Sequence, residues 1–196
     1  MLYTGKGDNG DTDYPGAPTR VSKTDPVVEA LGAIDELNAW IGYCRVKAAQ
    51  DVQKLPVTHY PATAGPRLGG GQLPITRALH DVQQDLFIIQ AELVGMKKIE
   101  EGRVRFLESI IAGMEKELPP IETFLLAGGT ELGALLDIAR TVCRRAERAA
   151  VHLSERSPLN PYLLAYLNRL SSLLYAAERL TNHRAGVTEE APTYGQ

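Results

Sequence analysis

The chain contains only two cysteines, Cys44 and Cys143. They lie far apart and form no Cys-x-x-Cys pair, which argues against a disulfide framework and a thiolate zinc site. Both sit among apolar residues of helical period and read as buried free thiols. The four histidines, His59, His80, His152 and His183, show no ligand spacing, so no protein metal site is expected. No apolar run approaches the roughly 20 residues a membrane span needs. The opening Met1-Leu2-Tyr3-Thr4-Gly5 has no apolar signal core, and the expected setting is soluble and cytoplasmic. Positive charge is not in excess either. The formal net charge is -3, against a general nucleic-acid binder. No Walker A spacing, no internal repeat and no convincing strand alternation appear.

Hydrophobic residues make up 44% and charged residues 23% of the 196-residue chain, enough for a packed core in a single domain. Residues 1–24 are rich in Gly, Asp, Thr and Lys, without helical period, and read as an irregular arm. Asp25-Pro26 then opens a first helix, a capping carboxylate followed by a proline suited to the first turn. Val27, Leu31, Ile34, Leu37 and Ile41 form its apolar face. Residues 51–74 carry Pro56, Pro61, Pro66, Pro74 and the run Gly69-Gly70-Gly71, and read as a long loop that is either mobile or a lid.

A second helix is expected from about Ile75 to Met96, with Leu79, Val82, Leu86, Ile89 and Leu93 in near-heptad rhythm. A shorter third contains Val104, Leu107, Ile111 and Met114 and stops at Pro119-Pro120. Thr130 caps a fourth helix over about Glu131–Ser154, and Asn160-Pro161 opens a fifth. The tail from Arg184 onward is expected to fray. Five amphipathic helices predict an all-α, five-helix bundle with an N-terminal arm.

The fourth helix carries the sharpest pattern, Arg140-x-x-Cys143-Arg144-Arg145-Ala146-Glu147-Arg148. Arg140, Arg144 and Glu147 fall at i, i+4 and i+7 on one face, with Arg148 beside them. Guanidinium groups there could converge on a polyphosphate through forked hydrogen bonds, or pair with acids along a solvated face. In the arm, Tyr3-Thr4-Gly5-Lys6-Gly7-Asp8-Asn9-Gly10-Asp11-Thr12 could bring backbone N–H groups close to phosphate, or be a flexible tail. Arg20, Ser22 and Lys23 could extend that clamp or be exposed charges. Asn168 lies beside the apolar stripe of the fifth helix and could fix a ligand or bond a neighbouring helix. Asp35 and Glu36 point about 100° apart and form no carboxylate dyad.

Taken together, these segments resemble the ATP:cob(I)alamin adenosyltransferase family associated with propanediol utilisation. The resemblance runs in order through Tyr3–Gly10, Arg20–Pro26, Glu29–Asn38, Val82–Phe87, Phe124–Thr130, Arg140–Arg148 and Leu167–Ser171. It implies a homotrimer with sites between subunits and an activity that moves the adenosyl group of ATP onto the cobalt of cob(I)alamin. Thr4, Gly5, Lys6, Gly7, Thr12, Asp13 and Lys23 would line ATP, with Arg144, Arg145, Glu147, Arg148 and Asn168. Mg²⁺ would ride on the phosphates. Arg140 would pair with Asp35 of a neighbouring subunit on the corrinoid side. Phe124 would press on the lower corrin face. A corrinoid reductase and a cobalamin-dependent enzyme are further expected partners. The rival from another class is a non-catalytic trimeric ATP-binding carrier or sensor of cobalamin. Ser172, where the family commonly has Asp, and Ala127, where it usually has Pro, depart from the pattern.

Overall fold

The computed structural model describes residues 3–50, 53–57 and 72–194. Five helices form the body: α1 (Pro26–Ala48), α2 (Ile75–Leu93), α3 (Glu101–Glu115), α4 (Glu131–Ser154) and α5 (Pro161–Arg184). Three start where local chemistry says they should. The Asp25 carboxylate accepts from the Val27 N–H, the Thr130 hydroxyl from the Gly133 N–H, and the Asn160 amide oxygen from the Tyr162 N–H. Each satisfies a backbone donor that the first turn leaves open.

α4 is the central helix, packing against α1 on one side and α5 on the other, while α2 lies on α1 and α3 on α5. Its inward stripe is small: Ala139, Cys143, Ala146 and Ala150 are all fully buried. Small side chains let neighbouring helices approach closely, so the opposite face of α4 is held rigidly. Larger residues fill the layers around it, among them Ile34, Leu37, Leu86, Leu167, Leu170 and Leu174. Both cysteines are buried, and burial pushes the Cys44 thiol up to about 12 and Cys143 higher still.

Between α2, α3 and α5 lies a buried polar knot. The Tyr166 hydroxyl donates to Asp85 at 3.0 Å, and Arg103 pairs with the same carboxylate at 3.0 Å. Burial pushes the Asp85 carboxyl up to about 6, against the opposing pull of Arg103.

α2 ends at Leu93, the last residue of the apolar rhythm and three short of the expected Met96; the Gly95 and Met96 N–H groups bond back to Glu92 and Ala91 in a closing turn. Four short strands also appear that alternation does not reveal. In the arm, β1 (Asp11–Thr12) pairs antiparallel with β2 (Val21–Ser22). In the 51–74 segment, β3 (Lys54–Pro56) pairs with β4 (Gln72–Pro74), and Leu55 and Leu73 are buried in the main core. The rest of that predicted loop, 51–52 and 58–71, lies outside the described residues. Two- and three-residue ladders are too short to show a period of two.

Candidate active site

On α4 the arginines of one sequence block meet different fates. Arg145 turns toward α1 and pairs with Glu36. Arg140 is tied to the buried Asp137 one turn back, and its guanidinium lies 5.7 Å from the centre of the Tyr175 ring. Arg144 and Arg148 are exposed, and neither makes a hydrogen bond or ion pair with any described residue. Two unpaired forks, one turn apart on a rigid face, can grip a polyanion. Glu147, half-buried beside them, accepts from the Asn168 amide at 2.9 Å. Arg169 donates to the Asn168 oxygen at 2.7 Å and to Glu108 at 3.0 Å, so the Asn168 amide has a fixed orientation. Asp35 is exposed on α1 and has no such partner among the described residues.

Toward the start of α4 the same face opens into a cleft of about 740 Å³. Phe124, Arg140, Arg144, Ser172 and Tyr175 are among its walls. Phe124 is 79% exposed, an unusual position for a phenylalanine without a ligand or partner. Ser172 stands in the cleft wall, and Ala127 is exposed in the turn that leads to α4. Tyr175 and Arg169 are additions that spacing did not single out. Both lie on α5 among apolar neighbours, and only the packing of α5 on α4 and α3 gives them a role.

The arm is an irregular run of turns tied together by the short β1–β2 ladder and by side-chain bonds. Arg20 holds it together: its guanidinium donates to the Asp11 carboxylate at 2.9 and 3.1 Å, to the Lys6 carbonyl at 2.7 Å, and to Asp13. These hydrogen bonds keep the Asp11 carboxyl below its usual range. Lys23 Nζ donates to the Gly7 carbonyl at 2.7 Å. A β-carbon at Gly7 would lie 3.2 Å from that ammonium and 3.3 Å from the Asp11 carbonyl, so these neighbours would have to give by a few tenths of an ångström. The Thr4 hydroxyl accepts from the Lys6 N–H at 3.4 Å, and Thr12 donates to the Asp13 carbonyl at 3.3 Å. Gly5 takes a left-handed turn (φ 69°), so the Thr4–Gly7 backbone curls.

The arm docks beside the end of α4, and the cleft opens along the middle of that helix. Tyr14 packs on Val27, Ala30 and Leu153, at the start of α1 and the end of α4. The cleft residues Arg140 and Arg144 stand roughly 14–20 Å before Leu153 along α4. No hydrogen bond or ion pair links the described arm to Arg140, Arg144, Arg148 or Asn168. One chain therefore brings together Arg140, Arg144, Glu147, Arg148, Asn168 and Phe124. Thr4, Gly5, Lys6, Gly7, Thr12, Asp13 and Lys23 form a separate group.

Fold and site together define an all-α bundle with a cationic helix face opening into a partly apolar cleft. The family model described as cobalamin adenosyltransferase matches residues 2–181, and the chain belongs to that family. It is 36% identical over 191 residues to the corrinoid adenosyltransferase of Bacillus subtilis, covering 95% of this chain and 89% of that one. It is 35% identical to corrinoid adenosyltransferase PduO of Citrobacter freundii over 94% of its own length, and spans 50% of that longer protein. Among solved structures it is similar to a PduO-type ATP:corrinoid adenosyltransferase from Lactobacillus reuteri, a variant complexed with cobalamin and ATP. The TM-score is 0.80 at 29% identity, covering 98% of this chain and 96% of that one. No described helix is long and apolar enough to cross a membrane.

Proposed function

We propose that this chain transfers the 5′-deoxyadenosyl group of ATP to the cobalt of cob(I)alamin, giving adenosylcobalamin and triphosphate. The observation that carries it is Arg144, an unpaired guanidinium that belongs both to the arginine face of α4 and to the Phe124 cleft. A polyphosphate on that face would have its 5′ carbon directed into the cleft, where a corrin could lie.

The chemistry sets the demands. The cobalt electron pair attacks the 5′ carbon; the carbon–oxygen bond breaks, and its pair leaves on triphosphate. The corrinoid supplies the nucleophile. The protein must align the two reactants and stabilise charge growing on the leaving group. Arg144 and Arg148 do the second task, with Arg145 and Glu147 completing the nucleotide side and Asn168 fixing the Glu147 carboxylate. Thr4, Gly5, Lys6, Gly7, Thr12, Asp13 and Lys23 close over ATP. Arg140 shapes the corrinoid side with Asp35 of a neighbouring copy. Phe124 excludes water and bases from the lower corrin face, which makes the cobalt easier to reduce.

Mg²⁺ fits as a companion of the nucleotide. The described residues contain no group of three or more acidic, histidine or cysteine side chains that could hold an ion. When bound it would sit on triphosphate oxygens, the usual manner for this hard cation, and would offset charge on the leaving group. A homotrimer with sites between subunits is supported by the separation of arm and cleft, since one copy's arm can complete another copy's cleft. A reductase that supplies cob(I)alamin is the partner this chemistry calls for, and the cytoplasm, where ATP is made, is the compartment.

The test is an anaerobic assay with Mg-ATP and chemically reduced cob(I)alamin, followed by absorbance as the cobalt–carbon bond forms. Adenosylcobalamin with one triphosphate per turnover is the expected result. ATP binding without product would indicate the carrier or sensor instead.

A further inference from the structure

Beyond Leu118, which packs on the core, the segment between α3 and α4 exposes Ile121 at 56%, Phe124 at 79% and Leu126 at 53%, with Leu125 half-buried. Apolar burial fixes little of it past Leu118, and its shape there depends largely on polar bonds. Those bonds come from one place, the last turns of α5 and the residues just beyond. Arg179 Nη1 donates to the Pro119 carbonyl at 3.3 Å. The Asn182 amide donates to the Gly128 carbonyl at 2.9 Å and accepts from the Thr130 N–H at 2.9 Å. The Leu126 N–H donates to the Glu190 carbonyl at 2.8 Å.

These anchors are themselves secured. After α5 the chain turns back, with the Val187 N–H bonded to the Asn182 carbonyl at 3.0 Å. Glu189 then meets Arg179, accepting from Nε at 2.9 and 3.3 Å. The Arg179 side chain is only 5% exposed and that of Glu189 17%. Removing one member of such a pair strands the other charge, so the geometry is strongly held. Glu178 accepts from Asn182 at 2.7 Å and orients that amide.

We propose that Glu189, acting through Arg179, and the Glu190 carbonyl are positioning groups for the corrinoid site: residues 187–190 hold the Phe124 segment over the cleft. This rests on Phe124 facing the corrin, as proposed above. A merely structural ion pair would stabilise the whole bundle and favour neither substrate.

The experiment uses the full chain with Glu189→Ala, Glu189→Gln and Glu189→Asp. Two quantities are read: amide exchange of a peptide containing Leu126, and the KM values for cob(I)alamin and for ATP. In Glu189→Ala the Leu126 amide should exchange roughly tenfold faster, and the corrinoid KM should rise by a similar factor, while the ATP KM stays within about twofold. Glu189→Asp should recover part of both effects, and Glu189→Gln covers the case in which the alanine variant does not fold. Unchanged Leu126 exchange, or equal rises in the two KM values with a lowered Tm, would overturn the proposal. If the wild-type chain forms no adenosylcobalamin, the parent function has failed, and the exchange measurement still decides whether Glu189 holds the segment.

Discussion

The arm and the α4 face both carry positive charge, and they use it differently. In the arm, Arg20 is surrounded by Asp11, Asp13 and the Lys6 carbonyl, and Lys23 is bonded to Gly7. Those cations hold the shape of a segment too short for a core of its own. On α4, the Ala139–Cys143–Ala146–Ala150 stripe already fixes the backbone, and Arg144 and Arg148 have no hydrogen-bond or ion-pair partner among the described residues. Arg20 is tied up in holding shape, whereas Arg144 and Arg148, mounted on a rigid helix, are left for a ligand.

The sharpest way to break this contrast is Arg144→Ala. Loss of a fork on the departing triphosphate should lower kcat by roughly 10²–10³, about 3–4 kcal/mol, as for other pre-placed charge stabilisers. Tm should hardly move, because Arg144 makes no hydrogen bond or ion pair among the described residues. Near-normal turnover would remove Arg144 from the chemistry. Arg20→Ala is the counterpart in the arm. It should raise the KM for ATP by about tenfold through a loosened arm, with a smaller effect on kcat at saturating ATP. A purely kcat effect would mean that Arg20 touches the reacting groups.

The two variants also test the assembly. Inactive Arg144→Ala chains refolded together with Arg20→Ala chains should regain ATP affinity, since some sites then combine an intact arm with an intact cleft. A strictly averaged activity would place each site within one copy. Phe124→Ala is the next smaller probe. It should slow the reaction that starts from cob(II)alamin several-fold more than the one given pre-reduced cob(I)alamin, about 1 kcal/mol of difference. Equal losses would leave Phe124 no part in ligand displacement.

The smallest effect is on stability. Burial, with Glu189 and Asp137 nearby, pushes the Glu178 carboxyl from 4.5 up to about 7. Between those values the folded chain keeps a proton that the unfolded chain has released, so stability falls as pH rises and levels off above the window. Glu178→Gln retains an oxygen for Asn182 and removes the titration. Its Tm relative to wild type should climb by about 2–4 °C from pH 4.5 to pH 7, measured by thermal unfolding. A constant difference would show that Glu178 does not titrate there.

What could be read from the chain alone divides along the range of the interactions. The caps at Asp25, Thr130 and Asn160 act within three residues, and the helix starts follow from them. The shared face of Arg140, Arg144 and Glu147 follows from helical period. By contrast, nothing local separates Arg145 from Arg148. Only the packing of α1 beside α4 brings Glu36 to the first and leaves the second free. Arg20 could be seen as a charge near the arm but not as its organiser, because its partners lie up to fourteen residues away. Asn182 was equally hidden. Its trace is Gly129, with φ 93°, where a β-carbon would come within 2.5 Å of the Asn182 amide. The tail was expected to fray, yet Glu189 folds back onto the buried Arg179 and the Glu190 carbonyl onto the Leu126 N–H.

The β3–β4 ladder has a consequence for how this chain can be lengthened. Leu55 and Leu73 are sunk in the core, and the Ile75 N–H bonds to the Gln53 carbonyl at 3.1 Å. The two strands therefore hold their ends about 5 Å apart, whatever number of residues joins them. Doubling the length between such fixed ends costs only about 0.6 kcal/mol. That junction is a natural port: a reporter domain or affinity handle spliced between Val57 and Gln72 would report on the enzyme without entering its bundle.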